Sequence, residues 1–136
     1  MKLTEHFTLE ELERSDTAKR EGIANVAGPQ EIAHMRELCE KVLEPARQQL
    51  GLPITITSGY RCKALNEKVG GAGYSYHLTG RAADITCARN DALLQILKAL
   101  PHTELIVYRH RTSGRIDRFH VAYCQGREGL AFSKYI

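Results

Sequence analysis

Apolar positions recur along the chain first at helical and then at strand spacing. Thr8 and Glu11 form the capping pair that opens a short helix, and Phe7 and Leu12 are placed to staple it. From Ser15 to Pro29 the periodicity is lost and breakers accumulate, which predicts a loop. Pro29 suits the first turn of a long helix, along which Ile32, Met35, Leu38, Cys39, Val42, Leu43, Ala46 and Leu50 fall on one stripe. Pro45 lies inside that stripe and should kink the helix, because it lacks an amide donor and crowds the preceding turn. Gly51 and Pro53 then end it.

Past that point the spacing changes. Ile54-Thr-Ile-Thr57 alternates and is β-branched, as a strand requires. Residues 62–69 read as a short helix, which Gly70-Gly-Ala-Gly73 breaks into a loop. Residues 81–86 form a second predicted strand. Asn90 is placed to cap a helix whose Leu93, Leu94, Ile96, Leu97 and Leu100 face a core. Glu104–Tyr108 and Arg118–Tyr123 complete the strands, joined across a turn at Thr112-Ser-Gly114. Helices first and strands afterwards, with one helix inserted, is an α+β order rather than a βαβ alternation. Without repeats or linkers, residues 1–136 are expected to form one domain.

Composition narrows the function classes. With 19 basic and 16 acidic residues spread evenly, the net charge of +3 gives no footprint for nucleic acid. The amino-terminal residues lack the apolar run of a signal peptide, and no later stretch is apolar enough to span a membrane. This predicts synthesis in the cytoplasm; release by lysis, a separate export route and recycling of wall fragments inside the cell all remain open. Cys39, Cys62, Cys87 and Cys124 form no Cys-x-x-Cys pair, so a thiolate zinc knuckle is not indicated and reduced, mostly buried thiols are expected.

The chemistry concentrates in Ser75-Tyr-His-Leu-Thr-Gly-Arg-Ala-Ala-Asp84. His77 and Asp84 flank a glycine and small residues, which let a loop and a strand approach closely. A catalytic zinc takes three protein ligands from imidazole nitrogen and carboxylate oxygen, and keeps one position open. The third ligand must come from elsewhere, and His120 on a predicted strand is the best-placed candidate. His34 reads as a partly exposed packing residue of the long helix. His6 and His110 have no partner at metal spacing, although His110 lies in the loop near the predicted site.

The pattern Ser-x-His-x-x-Gly-x-Ala-x-Asp, preceded by Ser58-Gly-Tyr-Arg61 and followed by Phe119-His-Val-Ala-Tyr123, resembles the zinc D-alanyl-D-alanine carboxypeptidase and dipeptidase family. That branch of the metallopeptidases also includes lysostaphin-like enzymes and the hedgehog signalling domain, and the resemblance runs from about residue 30 to residue 124. It implies a small, mostly antiparallel sheet that carries zinc on His77, Asp84 and His120, with helices packed against it. It also places Arg61 against the substrate or the developing oxyanion, a role suited to a fixed guanidinium. Ser75 would stand behind a ligand or contact substrate, and Tyr76, close to the site in sequence, is a candidate to line the substrate cleft.

Family members commonly carry a glutamate three residues before the last histidine ligand, as the base that takes a proton from water. Here that position is Asp117, one methylene shorter. Strict strand alternation puts it on the face opposite His120, so a bend or bulge would be needed to bring it round. Glu104 on the neighbouring strand is the competing carboxylate. The implied function is zinc-dependent hydrolysis of D-amino-acid-containing bonds in peptidoglycan peptides by a monomer, as carboxypeptidase or endopeptidase. The alternative is a non-catalytic zinc-binding module of hedgehog type, which the replaced glutamate favours.

Overall fold

The amino-terminal capping pair sets the first element in place. The Thr8 hydroxyl accepts from the Glu11 amide at 3.2 Å and the Glu11 carboxylate accepts from the Thr8 amide at 3.0 Å, opening α1 (Leu9–Glu13). Phe7 and Leu12 are both buried behind it. The structure is a computed structural model and describes residues 1–136. It places a helix, α2 (Asp16–Glu21), in the stretch expected to be loop, with the Ser15 hydroxyl as its cap and Gly22 closing it at φ 67°. Only Ala18 of α2 is buried, so there is no apolar stripe for a sequence reading to find.

The long helix is present in three pieces: α3 (Pro29–Leu38), a π-helical turn (Cys39–Leu43) and α4 (Glu44–Leu50). The expected disturbance at Pro45 takes the form of that wide turn, in which the Glu44 amide reaches back to the Cys39 carbonyl. Widening the ladder here gives room for a ring that cannot donate. It also leaves Glu44 buried, where its carboxylate accepts from the His6 amide at 2.8 Å and meets the His6 ring at 2.6 Å. His6, unpartnered in the sequence reading, therefore clamps the amino-terminal segment to α4.

Burial alone would raise the Glu44 carboxyl, but the bonds from the His6 ring and amide more than offset it and bring it down to about 2. A folded value below the ordinary 4.5 means that the clamp contributes stability above pH 4.5, which is lost as pH falls toward 2. Glu44→Gln is expected to cost about 2 kcal/mol at pH 7 and to flatten this part of the acid dependence. Urea denaturation of both proteins at pH 7 and pH 3 reads the difference. Parallel losses at the two pH values would refute the clamp.

The sheet contains β1 (Thr55–Ser58), β2 (Ala82–Thr86), β3 (Glu104–Arg109), β4 (Ile116–Ala122) and β5 (Ala131–Tyr135), in the order β1-β2-β4-β3-β5. All neighbours are antiparallel except β3 and β5. Strand β5 was not expected from the sequence, and all five of its residues are exposed. One face of the sheet is apolar: Ile56, Ala83, Ile85, Leu105, Val107, Phe119 and Val121 join the core under the helices. Alternation along β2, β3 and β4 sends Asp84, Glu104, Tyr108, Arg118 and His120 to the other face. Two further elements complete the frame, α5 (Lys63–Lys68) and α6 (Asn90–Ala99). Asn90 is the first residue of α6 and not its cap. Its side chain accepts from the Cys87 amide at 3.0 Å and donates to the Thr86 hydroxyl at 2.9 Å, fastening the helix start to β2. No helix is long and apolar enough to cross a membrane.

Candidate metal centre

Three elements converge on the open face of the sheet. Asp84 of β2 and His120 of β4 are directly paired across neighbouring strands. His77 comes from a 3-10 turn, Tyr76–Thr79, that enters β2. The Ser75 hydroxyl accepts from the His77 amide at 3.2 Å and starts that turn, and Gly80 ends it at φ 76°. A side chain at Gly80 would meet the Glu31 carbonyl at 2.5 Å, so the turn lies flat against α3. His34 secures the contact: its Nδ1 donates to the Thr79 carbonyl at 2.8 Å and its Nε2 meets the Arg81 guanidinium at 3.0 Å. The packing residue expected at His34 is thus a bridge between α3 and the turn.

The hydrogen bonds behind the histidines decide what they present. His77 Nδ1 lies 2.7 Å from the Gly59 carbonyl, which can only accept, so the proton sits there and the Nε2 lone pair points forward. That Nε2 is buried, has no hydrogen-bond partner, and faces Asp84 Oδ1 at 3.3 Å. His120 Nε2 is held by Glu104 Oε1 at 2.7 Å, which turns Nδ1 toward the same Asp84 oxygen at 3.1 Å. The two rings are 5.2 Å apart at 58°, and the three groups offer ligand atoms within 4.8 Å of one another.

A buried lone pair aimed at a carboxylate oxygen calls for a cation between them. Ligand bonds of 2.0–2.2 Å in tetrahedral geometry put ligand atoms about 3.4 Å apart, close to the separations seen here. The residues therefore fit zinc, with a carboxylate or carbonyl behind each imidazole, as metal-bound histidines ordinarily have. Burial opposes the charge of Asp84, yet the adjoining His120 and His77 imidazoles hold its carboxyl well below the usual carboxylate range. Burial likewise opposes a charge on His120, but Asp84 and Glu104 raise it above its ordinary value.

The remaining residues take distinct places. Asp117 lies at an irregularity in the β3–β4 pairing, where Tyr108 opposes Arg118 but Arg109 opposes Ile116. It is the extra residue of a bulge, which removes the alternation that would hold it on the core side. Its carboxylate meets the Arg118 guanidinium at 2.8 Å and His110 Nε2 at 3.2 Å. Arg118 in turn lies 4.2 Å from the centre of the Tyr108 ring. Glu104, the competing base, is bonded to the far nitrogen of His120. Arg61 donates its amide to the His77 carbonyl at 3.0 Å and a guanidinium N–H to Asn66 Oδ1 at 3.1 Å. Burial lowers its pKa, against the pull of Asp84. The Tyr76 phenol lies beside Arg127 and raises the pKa of that guanidinium. A second carboxylate–histidine group, Glu5, His6 and Glu44, uses His6 Nδ1 in its own bond to Glu44 and reads as the clamp described above.

The sequence reading missed the Gly59 carbonyl, the His34 bridge and the Arg118–Tyr108 stack. Gly59 alone carried a signal, as the glycine of Ser58-Gly-Tyr-Arg61: a side chain there would meet the Leu12 carbonyl at 2.3 Å.

Comparison with known proteins places the chain in a family. The model of a family described as peptidase M15 matches residues 5–117. A zinc D-Ala-D-Ala carboxypeptidase from Streptomyces albus G is 35% identical over 88 residues, which cover 62% of this chain and 34% of the relative. The match thus spans about a third of that relative's length. With the family model covering most of the chain, from the amino-terminal clamp to the β4 bulge, the chain belongs to the peptidase M15 family.

Proposed function

We propose that the protein is a zinc-dependent peptidase that hydrolyses D-amino-acid-containing bonds in the peptides of bacterial peptidoglycan, as carboxypeptidase or endopeptidase. The observation that carries this reading is the unpartnered Nε2 of His77, buried and directed at Asp84 beside His120. Membership of a peptidase family and the name of the Streptomyces relative support the reaction class and the substrate.

In this reading His77 Nε2, Asp84 and His120 Nδ1 would hold the metal. When bound there, zinc would supply Lewis acidity toward a water and toward the scissile carbonyl. Glu104 keeps the His120 ring turned by accepting its Nε2 proton. Asp117, released from strict alternation by the bulge, takes the proton from the attacking water and returns it to the leaving amine. Arg61 meets the substrate carboxylate or the developing oxyanion with its remaining guanidinium donors. Ser75 and Tyr76 line the substrate side; the Ser75 hydroxyl accepts from His77 and still has its own proton to donate.

One observation favours a zinc-binding module without activity: the Asp117 carboxylate is already engaged by Arg118 and His110. Digestion of defined muropeptides by the zinc-loaded protein, read by mass spectrometry, separates the two. Loss of terminal D-alanine identifies a carboxypeptidase, and cleavage within the stem or cross-bridge an endopeptidase. Intact muropeptides, with a broader peptide panel also untouched, would leave the module.

A further inference from the structure

Beside Arg61 the surface folds into a groove of about 420 Å³. The junction of α1 and α2 forms one wall with Arg14 and Asp16, and Ser58 at the end of β1 lies in the floor. Arg61 lines it too, with Leu65 of α5 and Val69 at the end of that helix. The groove opens next to the metal centre, because Ser58 is the cross-strand partner of Asp84 and the Arg61 amide is bonded to the His77 carbonyl.

Its walls are tied together by hydrogen bonds. The Asn25 amide donates to the Glu13 carbonyl at 2.7 Å and to the Tyr60 carbonyl at 2.9 Å, and its oxygen accepts from the Cys62 amide at 2.8 Å. These bonds bracket Arg14 on one side and Arg61 on the other. The Tyr60 amide donates to the Leu12 carbonyl at 2.7 Å, and Lys68 pairs with Glu21 at 2.7 Å, joining α5 to α2.

Inside this rigid frame two guanidinium groups have no anionic partner. The lysine and arginine ion pairs of the molecule are Lys68–Glu21, Arg89–Asp91 and Arg118–Asp117. Arg14 forms none, and Arg61 bonds only to the neutral Asn66, with its Nε buried and unpartnered. A buried donor without a partner is uncommon and calls for one. Asp16 is the only carboxylate lining the groove, so the two arginines leave it net positive.

We propose that this groove is a second anion-recognising subsite, which takes an extended stretch of peptide bearing a carboxylate away from the scissile bond. Arg14 reads that carboxylate, and Leu65 and Val69 receive a small apolar side chain such as the methyl of alanine. The proposal rests on the peptidase reading above and adds a substrate feature to it.

The test uses a stem pentapeptide in which each carboxyl group is amidated in turn. Wild-type KM is expected to rise about tenfold on amidation of one internal carboxyl. Arg14→Gln should raise KM for the unmodified peptide by a similar factor and erase that difference, with Arg14→Lys recovering part of it. Unchanged discrimination in a folded Arg14→Gln protein would overturn the groove. If no peptide is hydrolysed, the peptidase reading fails, and calorimetric binding of the same peptides judges the groove alone. Binding that weakens on amidation in wild type but not in Arg14→Gln upholds it; equal binding in both overturns it.

Discussion

His77→Ala is expected to lose stoichiometric zinc and all hydrolysis above background. The side chain is 2% exposed and contributes the one lone pair in the site that no hydrogen bond satisfies. Removing a partner behind a ligand typically costs 10–100-fold in metal affinity, so loss of the ligand itself should cost at least about a hundredfold. Metal content after dialysis and a zinc competition titration measure it, with circular dichroism showing that the turn has not unfolded the sheet. Zinc retained at one equivalent in this variant would move the metal elsewhere, with Glu5, His6 and Glu44 the first group to examine.

The second large effect separates the two carboxylates that compete for the role of base. Asp117→Asn should lower kcat by about 10²–10⁴-fold while zinc stays bound, as expected when a proton-transfer group loses its basicity. Glu104→Gln should instead weaken zinc by about 10–100-fold, because the carboxylate behind His120 sets the ring's orientation. The comparison is made at saturating zinc, where the Glu104 variant recovers much of its rate and the Asp117 variant does not. The reverse outcome would make Glu104 the base and Asp117 a partner of Arg118.

What the sequence made legible follows from what leaves a local trace. The capping pair Thr8–Glu11, the stripe from Ile32 to Leu50 and the alternation at Ile54–Thr57 each encode a contact with the core, and each led to an element present in the structure. His77 and Asp84 were legible because a short turn and a strand bring them together within one segment. Helix α2 and strand β5 were not, because neither buries an apolar face: α2 hides only Ala18, and β5 is exposed throughout. The part played by Glu104 was hidden for another reason. Which oxygen meets which imidazole nitrogen depends on the diagonal register between β3 and β4, where Glu104 opposes Ala122 and Ile106 opposes His120. The bulge at Asp117 is also a matter of pairing: the sequence showed only that Asp117 would need one to reach the face of His120, and the register shows where the irregularity lies.

The most direct measurement is a zinc titration of the metal-free protein, followed by release of D-amino-acid-containing product from a stem pentapeptide. The account predicts no turnover without metal and a linear rise that levels off at one zinc per chain. Full turnover in the metal-free protein, or one bound zinc with no turnover against any peptide, would contradict it.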